Sequence, residues 1–441
     1  MPLNFVDYRY VESDVEFSVT GASYVPDPEA EISISTDKEY VVFILCQVIS
    51  YDGVEGSGID KIYRITIDGA EVTLITTLSP TGTSNEASSG VIAYVGLLPA
   101  GSHTIRGELR AVNVGYTVVI SYRRLLVILF DGSPDDFLMT SMDFYPSAIP
   151  PSYPPEVSFT VPPAGKRGVP TLIIFQGNVD ASGSEIARIG IEIDGITDAL
   201  FDVCRAGINT VFLHLIKVLE SNSSHTITLS YEHVHGAYHS YLIIMFLQPL
   251  QDFRHLFDDT DQDVSGLTND NVASITFETL YDGFLLVMYT ADMFKEGTNI
   301  RVSTAISIDG TDCPETRKEL RQYGCATSFT FISLASGTHT IAGRVACTLN
   351  GPATLDKRYL TVILFANFKL LRGTVKLPNG TPVANARVVI INEDTDEWKD
   401  TVFTDSNGSF SCYVPPNLKW TVASYSPDPT YGGGIKTHIT S

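Results

Sequence analysis

The sequence predicts an all-β chain, with three antiparallel β-sandwiches in tandem followed by a smaller fourth. Three observations carry the prediction. Apolar segments of roughly five to nine residues, rich in β-branched and aromatic side chains, alternate with clusters of Gly, Pro, Asn, Asp and Ser, without a long amphipathic helical period. One phrase, LPAGSHTI at Leu98–Ile105, returns as LESNSSHTI ending at Ile227 and as LASGTHTI ending at Ile341. From Lys369 onward these landmarks stop and a different set begins.

The repeated histidines, His103, His225 and His339, stand 122 and 114 residues apart, a domain-sized period. YRITIDGAE around Asp68, IGIEIDGIT around Asp194 and TAISIDGTD around Asp309 each place an alternating strand before Ile-Asp-Gly. Asp-Gly marks a hairpin turn, because Gly accepts positive φ without a steric penalty. Each copy closes on an apolar strand: YRRLLVILF to Phe130, YHSYLIIMF to Phe246 and KRYLTVILF to Phe365. An Asp-Phe pair follows the first two, at Asp136-Phe137 and Asp252-Phe253. These landmarks divide the chain into sandwiches at 1–131, 132–248 and 249–366 and a last one at 367–441. Within the copies, EYVVFILCQVI, TLIIFQGNV and GFLLVMYTA lack polar alternation and read as central strands covered on both faces.

Composition narrows the function. With 44% hydrophobic and 18% charged residues the chain is folded rather than disordered. Lys and Arg total 29 against 51 Asp and Glu, a net charge of −22, and such a surface repels nucleic acid. The start, MPLNFVDYRYVESD, has no charged segment leading into an apolar run, so no secretory signal is expected. The longest apolar runs, Leu125–Phe130 and Tyr241–Leu247, fall far short of the roughly 20 residues of a membrane span, so no membrane insertion is expected.

The order of an aliphatic segment, Gly-Ser/Thr-His-Thr-Ile, a strand, a Gly-bearing hairpin and a closing apolar strand resembles jelly-roll domains of the tumour-necrosis-factor and complement type. Similar phrases occur in virion surface proteins. Ile-Asp-Gly and Gly-Ser-His-Thr also occur in immunoglobulin-like surface repeats, which stand as the alternative sandwich. The segment after Lys369 is similar to the carboxypeptidase regulatory-like, or transthyretin-like, seven-stranded sandwich. The matching positions are Gly373 and Val375, then Gly380, Pro382 and Val383 at a turn, then Ala386 and Val388. Thr404, Asp405, Gly408 and Phe410 form that family's Thr-Asp-x-x-Gly-x-Phe turn, followed by Pro415 or Pro416 and Trp420-Thr421-Val422. The fold class expected is therefore all-β: three jelly rolls and a transthyretin-like domain. The resemblance carries over no catalytic group.

Candidate chemistry is sparse. The three repeated histidines read as structural, each bonding across a turn to nearby backbone. In YEHVHGAYHSY, His233 and His235 share a strand face, and His239 lies across a presumed turn at Gly236; three imidazoles there would suit a transition metal, against an exposed hairpin tip. FDDTDQDVSGLTND places Asp259, Asp261 and Asp263 at calcium-loop spacing, but Val264 stands where that loop needs Gly and Asp270 where it needs Glu, which favours a solvated linker. Of the six cysteines, Cys313 and Cys325 flank a polar loop and form the one pair considered for a disulfide, while Cys46 and Cys347 read as buried thiols. No nucleophile elbow, zincin helix or phosphate loop occurs, and Asp and Glu pairing for a glycosidase is not readable from sequence. No residue is assigned to catalysis, cofactor binding or metal binding, and no cofactor is expected.

These readings converge on a non-enzymatic virion structural protein: a spike, fibre, turret or decoration protein made in the host cytoplasm and displayed on the particle surface. Its expected partners are capsid or tail proteins, other copies of itself, and a host glycan or receptor. Assembly follows one of two schemes: three copies in one chain close into a pseudo-trimer, or three chains stack each copy into a trimeric tier. The alternatives are an extracellular adhesin or filament subunit on a cell surface and a secreted carbohydrate-active enzyme.

Overall fold

The computed structural model describes residues 3–52, 60–78, 88–112, 117–141, 157–161, 169–181, 187–204, 207–219, 224–232, 234–247, 250–264, 270–294, 302–313, 323–347, 353–366, 369–377, 379–393, 398–414, 419–425 and 435–440. These residues are almost entirely β-strand, with one 3-10 turn at Pro134–Asp136. They form two compact units, residues 1–280 with 285–365 and residues 366–441 with 281–284.

In the first sandwich β1 (Asn4–Ser13), β2 (Phe17–Thr20), β3 (Val25–Thr36) and β4 (Tyr40–Asp52) come first. Then follow β5 (Asp60–Ile67), β6 (Ala70–Leu78), β7 (Ser88–Leu98), β8 (Gly101–Ala111) and β9 (Thr117–Asp131). The second comprises β10 (Phe137–Ser141), β11 (Val157–Val161), β12 (Pro170–Ala181) and β13 (Ala187–Ile193). It continues with β14 (Ile196–Cys204), β15 (Gly207–Val218), β16 (His225–Glu232) and β17 (Val234–Phe246). The third comprises β18 (Leu250–Asp258), β19 (Gln262–Val264), β20 (Asp270–Thr279), β21 (Gly283–Phe294) and β22 (Val302–Ile308). It ends with β23 (Thr311–Asp312), β24 (Tyr323–Leu334), β25 (Gly337–Cys347) and β26 (Ala353–Ala366).

Three inner sheets run β1-β9-β4-β7, β10-β17-β12-β15 and β18-β26-β21-β24, and three outer sheets run β3-β8-β5-β6, β11-β16-β13-β14 and β20-β25-β22-β23. Setting aside the short extra strands β2 and β19, each copy pairs its strands in the order first, eighth, third, sixth and second, seventh, fourth, fifth. That is the jelly-roll order. An immunoglobulin sandwich divides its strands differently between the sheets, so the immunoglobulin-like alternative is set aside.

Burial explains the two kinds of sheet. In outer strand β3 buried residues alternate with exposed ones from Ala30 to Thr36, as a half-solvated face requires. Inner strand β9 is buried throughout Tyr122–Phe130. Val42, Ile44 and Cys46 of β4 point into the first sandwich's own core, whereas Val41, Phe43 and Leu45, equally buried, point the opposite way. Their cover is the neighbouring sandwich. The equivalent strands β7, β15 and β24, each at the same edge of its inner sheet, touch one another.

The closing strands correct one sequence register. Leu129 and Leu364 lie in their sandwich cores and Phe130 and Phe365 face outward, their rings 5.8 Å apart. In the second copy Phe246 lies in the core, so Leu247, not Phe246, is equivalent to Phe130. The cause is a bulge: pairing of β12 with β17 jumps from Gln176–Tyr241 to Asn178–Tyr238, and His239 takes φ of 50°. One extra residue flips every side chain beyond it.

In the second unit, β27 (Lys369–Thr374) pairs with β30 (Ser409–Val414), facing a sheet of β28 (Arg387–Asn392), β29 (Trp398–Phe403), β31 (Lys419–Tyr425) and β32 (Ile435–Thr440). Leu371, Val388, Ile390, Val414 and Trp420 fill the space between, with Phe410 against them. Asp405 Oδ1 accepts from the amides of Asn407 and Ser409, and Gly408 sits at φ +71° where a Cβ would lie 2.6 Å from Val375 O. Only glycine fits there.

Gln176 is the test of how firmly one sandwich is held to the next. Its side chain bonds Ala93 N and Thr73 Oγ1 of the first copy, both buried, so Gln176→Ala leaves them unpaired at about 1–3 kcal/mol. A urea denaturation midpoint unchanged from wild type would contradict this.

Candidate functional site

The feature that organises the first unit is a three-way seam between the inner sheets. Alignment of the third strands by core position places Gln47, Gln176 and Thr290 at one equivalent site, each directly after a residue that packs in its own core: Cys46, Phe175 and Tyr289. All three polar side chains are buried. Gln47 Nε2 donates to Thr327 O of β24 at 3.2 Å, Gln176 accepts from Ala93 N of β7, and Thr290 Oγ1 donates to Phe212 O of β15 at 3.2 Å. Thus the first copy reaches the third, the second reaches the first, and the third reaches the second. The contacts close a cycle, as a three-fold arrangement of heterologous interfaces requires. Arg124 strengthens the contact between first and third copies by donating to Phe329 O at 2.6 Å, with Glu12 beside it. Phe5 stacks on Phe331 and Phe365 alongside. Sequence reasoning missed these positions, although the signal was present: a lone Gln or Thr inside an otherwise apolar run.

Buried charge also sits inside the first sandwich. Arg123 NH2 lies 3.1 Å from Asp27 Oδ1, both almost wholly enclosed. Burial pushes the Asp27 carboxyl above its ordinary range against the pull of Arg123.

The repeated histidines are clamps. Asp68, Asp194 and Asp309 take φ of 53°, 54° and 51°, followed by positive-φ glycines, so each Asp-Gly is a mirror-image hairpin turn. His103 Nδ1 bonds Asp68 Oδ2 at 2.7 Å, Thr104 N donates to Asp68 Oδ1 at 2.8 Å, and His103 Nε2 lies 2.9 Å from Pro99 O. The third copy repeats this with His339, Asp309, Thr340 N and Ala335 O. The second keeps the His225–Asp194 and Thr226 N–Asp194 bonds. Each clamp ties the fourth-to-fifth-strand turn to the start of the seventh strand.

The other sequence candidates do not come together. The expected hairpin at Gly236 is absent: β17 runs unbroken from Val234 to Phe246, with Gly236 paired to Asp180. His239 occupies the bulge, His233 lies outside the described residues, and so does the His235 side chain. Asp259 and Asp261 are exposed, and the Asp263 side chain is outside the described residues. That loop is organised by a cation of the chain itself: buried Arg358 bonds Asp258 at 2.7 Å and Thr260 O at 2.8 Å. Cys313 is a free thiol, half-buried against the third core, and the Cys325 side chain lies outside the described residues; Cys46 is buried and free. Among the described residues no group of three His, Cys, Asp or Glu is placed to hold a metal ion, and no helix is long and apolar enough to cross a membrane.

The carboxypeptidase regulatory-like domain family matches residues 371–429. No curated protein matches the chain by sequence. Among solved structures the chain is similar to PNGF-II, at 9% identity and TM-score 0.29, covering 70% of this chain and 98% of that one. It is similar to the CBM22-1–CBM22-2 tandem of Paenibacillus barcinonensis Xyn10C, at 15% identity and TM-score 0.14, covering 46% and 82%. A triple jelly roll from the turret assembly of an archaeal virus gives 11% identity and TM-score 0.18, covering 80% and 90%.

The His103 clamp has a defined pH window. The Asp68 hydrogen bond raises the histidine's pKa, and His103 holds the Asp68 carboxyl low. Both ring nitrogens face acceptors, so the imidazolium satisfies both. The raised histidine stabilises fully below its ordinary value of about 6.5 and loses this as pH rises through its folded pKa; the lowered aspartate loses its share as pH falls through its own. Because Asp68 is half-exposed, His103→Ala costs only about 1 kcal/mol near pH 6, shrinking toward pH 9, by urea denaturation at both values. A difference that grows with pH would refute the clamp.

Proposed function

We propose that this chain is a non-enzymatic structural protein of a virion surface, a spike, fibre, turret or decoration protein that joins capsid or tail proteins. The observation that carries the reading is the cyclic seam, in which each copy's third strand reaches the next copy's sixth. Three jelly rolls bound this way do within one chain what three subunits do in trimeric jelly-roll assemblies. The inner sheets are used up in mutual burial, so partners meet the outer sheets and the loops at the sandwich ends. Loops on so rigid a scaffold hold a fixed geometry, and three copies multiply weak contacts to a host glycan or receptor. The strongly acidic surface suits a protein crowded at high local concentration. The reading assigns no catalytic residue, cofactor or metal to the chain.

Antibodies raised against the purified chain test the proposal by gold labelling of cultures of the source organism. Label on particle surfaces supports it, and label confined to cell walls or extracellular filaments replaces it with the adhesin reading. Release of reducing sugar from a polysaccharide panel, abolished by single carboxylate substitutions, would overturn the non-enzymatic assignment.

A further inference from the structure

The contact between the second and third sandwiches differs chemically from the other two. His214 on β15 and His255 on β18 both place Nδ1 2.8 Å from one hydroxyl, Thr361 Oγ1 on β26. His214 Nε2 lies 3.0 Å from Thr290 Oγ1, which donates to Phe212 O and lies 3.1 Å from Thr327 Oγ1. His214 is fully buried, and the Nε2 atom of His255 is buried without a hydrogen-bond partner.

One proton count satisfies the whole network. With the Thr290 hydroxyl proton on Phe212 O, His214 Nε2 carries the hydrogen and donates to Thr290. His214 Nδ1 is then a lone pair and takes the proton of Thr361. Thr361 in turn accepts from His255 Nδ1–H, which leaves a bare lone pair on His255 Nε2. Every contact is satisfied with both rings neutral.

A further proton breaks this order. On His255 Nε2 it creates a buried N–H without an acceptor; on His214 Nδ1 it forces the Thr361 hydroxyl to turn away. Among the described residues no carboxylate offsets the charge. On β26, Tyr359 stands 6.2 Å from the His255 ring and is neutral, while Arg358 is taken up by Asp258. Arg254, next to His255 on β18, pairs with Asp252, and Lys217 of β15 pairs with Asp198 of β14. On β6, Glu71 binds Arg64, and on β7 Tyr94 packs against its own core. Burial lowers His214 well below the ordinary range, with the neighbouring His255 adding to it, and lowers His255 to about 4.

We propose that the His214–Thr361–His255 triad is an acid-sensitive latch whose protonation loosens the second sandwich from the third, leaving the contacts made by Gln47 and Gln176 closed. The sign follows from the lowered folded pKa: the latch is fully closed above about pH 6.5, where histidine is neutral in both folded and unfolded chains. Below that value the open form binds more protons, and stability of the contact falls down to about pH 4, the folded pKa of His255.

Hydrogen exchange of the full chain, read by mass spectrometry at pH 7.5 and 5.0 after correction for intrinsic rates, tests this. Segments of β15 and β18 should lose protection about tenfold or more at pH 5.0 while β4 and β12 keep theirs. In His255→Asn the amide keeps a donor for Thr361 but cannot titrate, so the acid-induced loss should shrink severalfold. Unchanged protection, loss spread evenly over the three sandwiches, or a His255→Asn profile equal to wild type would each overturn the latch. Should the variant not fold, the wild-type pattern decides alone.

Discussion

Three inner sheets that are apolar on both faces can leave water only by covering one another, and the architecture of the first unit depends on that constraint. A sandwich hides one face of each sheet; here β4, β12 and β21 carry a second buried face as well. The cycle of contacts removes that face from water and covers the β7, β15 and β24 edges, whose open backbone groups would otherwise invite pairing with other chains. Polar groups caught in such a contact must be satisfied, because an unpaired buried donor or acceptor costs more than a bond gains. Gln176 and Thr290 meet that demand at one equivalent position, and Gln47 meets it through Nε2 alone, its Oε1 being buried without a partner.

Duplication gave the three copies one backbone plan and left their contacts free to diverge. The outer sheets kept the plan most closely: the Asp-Gly turn and the histidine clamp recur with nearly the same distances. The contacts between copies changed chemistry, with Gln47 and Arg124 at one, Gln176 at the next, and His214 with threonines at the third. Unlike contacts are a device against mispairing, since a sandwich seated against the wrong neighbour leaves buried polar groups unmatched.

Much of this was legible in the sequence. The Asp-Gly turns, the histidine phrase and the closing strands gave the all-β, antiparallel character, because turn chemistry and side-chain alternation are local. The Asp-Phe marker even had an unread counterpart at Asp7-Tyr8, where the first strand bulges as it does at Asp252. Legibility failed where one residue or one neighbour decided the outcome. The bulge at His239 shifted Phe246 from its apparent partner Phe130, and Gly236 proved to be ordinary strand. The aspartates after Phe257 read as a solvated linker, and Asp259 and Asp261 are exposed, but the Arg358 that binds their neighbour Asp258 comes from 100 residues away in sequence and left no local sign.

The sequence by itself determined the elements: which segments become strands, where the Asp-Gly turns fall, and that the last 75 residues follow another plan. Each of these depends on residues within a few positions of one another. Tertiary structure alone decided that a lone Gln47, Gln176 or Thr290 in an apolar run is a contact between sandwiches and that the repeated histidine takes the aspartate of the Asp-Gly turn as its partner. It also decided that His214 and His255, 41 residues apart, share one hydroxyl. A side chain's partner across an interface depends on how whole sheets pack, and no local pattern encodes it.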